Sequence, residues 1–124
     1  MDGVVLLVGE LDDFVRLVDR NEYVACWWKM DFNGYSGTIY IYAEAKSNEG
    51  GYIAYREVRR LDPTILDNLE KAHGVEFGDG DLAERYFSAA CYLYDRFLEK
   101  LRMKGLRVMK GRYFYAHSIK PLIE

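Results

Sequence analysis

The sequence contains no glutamine, and it has only two cysteines, two prolines and two histidines among 124 residues. Each scarcity excludes something. Cys26 and Cys91 stand 65 positions apart with no CxxC pair and no His/Cys cluster, so neither a zinc site nor a disulfide framework is expected. Both lie in apolar surroundings, ACWW and AACYLY, which favours two buried thiols over a single Cys26–Cys91 disulfide. Four serines and two histidines are a thin catalytic inventory, and no GxSxG, HExxH, P-loop or GxGxxG motif is present. No apolar run is long enough to cross a bilayer. VVLLV near the N-terminus is short, has no basic residue before it and is soon followed by Glu10, Asp12 and Asp13. It reads as a strand and not as a signal peptide. A cytoplasmic protein without membrane contact is expected.

What is present in quantity is tyrosine, at eleven residues, together with Glu, Lys and Arg. With glutamine absent and asparagine limited to four residues, this profile is one enriched in proteins from hot environments. At this length one domain spanning residues 1–124 is expected.

The pattern along the chain predicts βαβββααβ. Val4–Val8 is a first strand, and 10–21 a short amphipathic helix with Leu11, Phe14, Val15, Leu17 and Val18 apolar. Tyr23–Phe32, Thr38–Lys46 and Tyr52–Arg60 alternate in side-chain character and are separated by Asn33-Gly34 and Asn48-Glu49-Gly50-Gly51. They predict a three-stranded antiparallel meander. Asp62-Pro63 opens a helix that Gly74 closes after His73. Asp81 caps a long helix of about 82–104, stopped by Gly105, and a last strand occupies 108–119 with a kink at Gly111. The expected fold is α+β: a mainly antiparallel sheet, made of the meander and the terminal strands, packed with three helices.

Two features bear on function without naming a ligand. The first is a set of rings on one side of the meander, Tyr23, Trp27, Tyr40, Tyr42 and Tyr52, with Arg56 near them. Exposed, they would stack bases or dock a partner. Covered by the long helix, they are core, and that second arrangement is the favoured one here. The second feature is charge. Residues 100–120 carry seven lysines and arginines and no acid, in a chain of net charge −3. That is an electrostatic footprint for a polyanion or an acidic partner, or else a helix C-terminus followed by a solvated strand.

EFGDGD, with Glu76, Asp79 and Asp81, lacks the further ligands of an EF-hand loop and reads as a turn and helix cap. His73 is explained by its place at a helix C-terminus. No metal, cofactor or catalytic residue is assigned.

The spacing LRxxGxxVxxGxxF, carried by Leu101, Arg102, Gly105, Val108, Gly111 and Phe114 and followed by Ala116, resembles the helix-to-strand signature of the tRNA-splicing endonuclease family. His117-Ser118 resembles that family's His-Ser step. The resemblance covers residues 101–118. It implies an RNA-processing role, and Tyr115, His117 and Lys120 include the residue types that cleave RNA there. The sequence ends at Glu124, where the family continues, so the implied role is that of a short, non-catalytic subunit. The expected RNA contacts are Lys104, Arg107, Lys110, Arg112, Tyr113, Tyr115, His117 and Lys120. The alternative is a protein-interaction module without nucleic acid, in which the wide apolar arc of the long helix, through Tyr86, Phe87, Tyr94 and Phe97, meets a partner or a second copy.

Overall fold

The structure, a computed structural model, describes residues 5–110, with Lys110 placed by its backbone. Eight elements follow in chain order: β1 Val5–Val8, α1 Leu11–Leu17, β2 Tyr23–Phe32, β3 Gly37–Lys46, β4 Tyr52–Leu61, α2 Pro63–His73, α3 Leu82–Met103 and β5 Arg107–Lys110. They form an α+β fold with one five-stranded sheet in the order β1-β4-β3-β2-β5.

Local chemistry accounts for most of the boundaries. The β2–β3 turn is closed by Asn33, whose Oδ1 accepts from the backbone N–H groups of Tyr35 (3.0 Å) and Ser36 (2.8 Å). Gly34 within it takes φ of +98°, a conformation that costs glycine little. Asp62 and Asp81 cap α2 and α3, accepting from Ile65 N at 2.8 Å and Glu84 N at 2.9 Å. α1 is shorter than the 10–21 expected. Val18 leaves the helix to bridge Ser47, and the Asp19 N–H donates to the Lys46 carbonyl at 2.9 Å. Tertiary pairing with the β3–β4 turn outweighs helix periodicity there.

The meander is antiparallel as expected, with Trp27 opposite Tyr42 and Tyr42 opposite Arg56. The sheet as a whole is mixed and not purely antiparallel: the two long pairings are antiparallel, and the short outer ones are parallel. β1 pairs parallel with β4, and β5 pairs parallel with β2. Only β3 therefore runs against the other four. The reason lies in the connections: β1 reaches β2 through α1, and β4 reaches β5 through α2 and α3, so each helical return sets down a parallel strand.

The same topology decides which face is covered. Both crossovers step across the sheet in the same direction, from β1 to β2 and from β4 to β5. Parallel crossovers are right-handed almost without exception. Two that step the same way must put their helices on the same side. The core agrees with this. Phe14 of α1, Leu66 of α2, and Tyr86, Leu93, Tyr94, Phe97 and Leu101 of α3 join Val24, Cys26, Trp28, Ile39, Ile41 and Ile53 in a single buried cluster. The aromatic parts interlock. Tyr55 and Phe97 stack at 6.1 Å, Phe32 meets Tyr86 edge-on at 5.5 Å, and Tyr94 Oη donates to the Cys26 carbonyl at 2.8 Å.

Cys26 and Cys91 both remain thiols; Cys26 is fully buried and Cys91 half-buried. Burial pushes the Cys26 thiol up to about 12, while the positive charge of Arg102 acts in the opposite sense. A group held protonated in the fold above its ordinary value of 9.0 stabilises the fold less as pH rises through that interval. The urea midpoint is therefore expected to fall between about pH 9 and pH 12. Cys26 should resist iodoacetamide at neutral pH until the chain unfolds; its rapid labelling in the native protein would contradict the packing described.

Among the described residues no helix is long and apolar enough to cross a membrane.

Candidate functional site

With all three helices on one side, the opposite face of the sheet is bare among the described residues. Side-chain alternation sends Tyr23, Trp27 and Lys29 of β2, Tyr40, Tyr42 and Lys46 of β3, and Tyr52, Arg56 and Arg60 of β4 to that face. The rings placed under α3 in the sequence reading are therefore not core. Tyr23 is 51% exposed and Tyr52 36%, while Trp27, Tyr40 and Tyr42 are half-buried by one another and by their neighbours.

The face is ordered by cross-strand pairing. Trp27 and Tyr42 lie opposite each other and stack with centroids 5.4 Å apart and planes 11° from parallel. One row along, Tyr40 is flanked by two cations. Lys29 Nζ, its partner on β2, lies 5.0 Å from the ring centroid, and the Arg56 guanidinium reaches it from β4 at 5.9 Å. At the β5 side the Arg107 guanidinium covers Tyr23 at 4.4 Å and donates to the Asn21 carbonyl at 3.0 Å. Lys46 pairs loosely with Glu22 at 3.6 Å.

Charge on this surface opposes that of the chain. Lys29, Lys46, Arg56, Arg60 and Arg107 face three carboxylates, Asp31, Glu44 and the Glu22 that pairs with Lys46, in a protein of net charge −3. The result is a broad, shallow aromatic platform with cations set beside the rings. Such an arrangement offers flat rings for stacking and positive charge beside them.

The sequence-predicted contacts divide. Arg107 joins the platform. Lys104 lies on the helical side, where its Nζ is 3.8 Å from Asp12 and its carbonyl accepts from Arg20 Nη1 at 2.8 Å. The backbone of Lys110 lies opposite Cys26. Arg112, Tyr113, Tyr115, His117 and Lys120 lie outside the described residues. Tyr86, Tyr94 and Phe97, expected at a partner interface, are buried in the chain's own core, and Phe87 is half-buried against Trp28 at 5.7 Å. Among the described residues, the sheet and the neighbouring helices cover these α3 side chains. His73 sits at the end of α2 with its ring edge-on to Tyr92 at 5.2 Å.

Lys29, Lys46 and Arg60 were missed by sequence reasoning. The signal was there, because each alternates with a ring or an arginine along its strand, as in Trp27-x-Lys29 and Arg56-x-x-x-Arg60.

A groove of about 620 Å³ on the helical side is lined by Arg59, His73, Leu93, Arg96 and Phe97, with Glu57 among them. Its charge is partly neutralised internally, with Arg59 3.7 Å from Glu57. Lys100, Lys104 and Glu99 also line it, so cations outnumber acids there too, but the row of exposed rings that marks the open face is missing from its lining.

No family model matches the chain, and neither a curated protein nor a solved structure matches it.

Proposed function

We propose that the bare face of the sheet holds single-stranded RNA and that the chain is a non-catalytic RNA-binding protein of RNA processing. The observation that carries this is the coincidence of five cations and five rings on the one face that no helix covers among the described residues. Bases would stack on Tyr23, Tyr52 and the Trp27–Tyr42 pair, and phosphates would lie beside Lys29, Lys46, Arg56, Arg60 and Arg107. Single strands fit this surface better than duplex, because only unpaired bases expose their faces to rings on a flat sheet. The choice of RNA over DNA rests on the resemblance of residues 101–118.

Each phosphate neutralised on a single strand contributes about −0.7 to the slope of log affinity against log salt. Three to five contacts give an expected slope of about −2 to −3.5. Fluorescence titration of a short unstructured oligoribonucleotide across salt measures it. Poly-glutamate of matched charge serves as the comparison. If it binds as tightly as RNA, stacking contributes nothing and the surface is one for an acidic protein segment. If neither binds at low salt, the proposal fails.

A further inference from the structure

We propose that the β1 edge is a self-association surface on which a second copy of this chain adds its own β1, antiparallel, joining two five-stranded sheets into one. β1 is terminal in the strand order, so among the described residues one of its edges has no ladder partner. The backbone N–H and C=O groups along such an edge are satisfied best by another extended strand.

The side chains point the same way. Val5 is 47%, Leu6 58% and Leu7 62% exposed. Register with β4 puts Leu6 on the helical side, with Ile53, and Leu7 on the bare side, with Ala54. The strand is thus apolar on both faces. It contains no charge and no proline, the devices that ordinarily protect an edge. The other edge is different. β5 reads Arg107-Val108-Met109-Lys110, and joining two such edges would bring like charges together.

The occupant follows from the same composition. Val5–Val8 offers no charge by which to select an acidic or a basic partner. Paired with itself about a twofold axis, it sets an aliphatic side chain against an aliphatic side chain at every position. Face-to-face association of two bare faces is opposed by the five cations on each. A twofold axis perpendicular to the sheet keeps both bare faces on the same side. Where the RNA reading holds, the dimer offers one platform of doubled length; the dimer itself does not rest on that reading.

Sedimentation velocity on the full chain, without nucleic acid, from low micromolar to submillimolar concentration, tests the proposal. A dimer is expected to grow with concentration. Leu6→Lys and Leu6→Glu each place a charge at the edge without altering the bare face, and each is expected to weaken association about tenfold or more. Mixing the two variants should restore it. Circular dichroism and an unchanged thermal melt below the dimer range show that each variant is folded. A wild-type chain that stays monomeric throughout, or association that both variants leave undiminished, overturns the edge dimer while leaving RNA binding to be judged separately.

Discussion

The Trp27→Ala variant is expected to fold normally and to bind single-stranded RNA about 5- to 150-fold more weakly, the loss of about 1–3 kcal/mol that one stacked base represents. Trp27 sits half-buried on the bare face and its main neighbour is Tyr42. Removing the ring forfeits that contact, worth about 0.5–1.5 kcal/mol, and leaves the core untouched. Tyr42→Ala should reproduce the effect because it removes the other half of the stack. The test is a binding isotherm paired with a thermal melt. An affinity that stays at the wild-type value in both variants would show that the rings are not where bases sit.

The next residue gives the opposite result. Trp28 is fully buried on the helical side and packs against Phe87. Trp28→Ala empties the largest side-chain volume in the core. It is expected to cost about 3–5 kcal/mol, a large share of the roughly 5–15 kcal/mol that holds a domain of this kind together. The melting temperature should drop on the order of 10–20 °C. RNA affinity, measured where the variant is still folded, should change little. Two adjacent tryptophans with separated phenotypes, one in binding and one in stability, are what a sheet covered on one side alone produces. A Trp28→Ala chain as stable as the parent would contradict the assignment of faces.

That assignment was the part of the fold that the sequence left open. The helix limits at Asp62, Gly74 and Asp81 and the three long strands were readable, because caps, glycines and period-two alternation act locally. Alternation along β2 separates Val24, Cys26, Trp28 and Met30 from Tyr23, Trp27 and Lys29, but it does not say which set a helix covers. Both sets contain large rings. The answer comes from strand order and from the direction in which the crossovers step, and these are properties of pairing between segments far apart in the chain. The parallel direction of β1 and β5 was illegible for the same reason, since VLLV and RVMK carry no mark of their partner's direction.

The candidate site was legible in fragments. The rings and Arg56 were seen together, and the excess of charge near the C-terminus drew attention to Arg107. The two observations belong to one surface because β5 lies beside β2 and sets Arg107 over Tyr23. Lys104, three residues earlier, turns to Asp12 because it ends a helix on the other layer. A run of cations along a sequence is thus divided by the fold. The arc of α3 left a related choice open. Its width called for the sheet and either another helix or another chain, and the sheet with its flanking helices covers it among the described residues.

The central claim is that the uncovered face of the sheet is the binding surface. Amide and side-chain NMR of the labelled chain during titration with a short single-stranded oligoribonucleotide tests it most directly. The account predicts shifts concentrated at Tyr23, Trp27, Lys29, Tyr40, Tyr42 and Arg56, with α1, α2 and the buried side of α3 nearly unmoved. Shifts confined to the helical layer, or to none of these residues at saturating RNA, would contradict it.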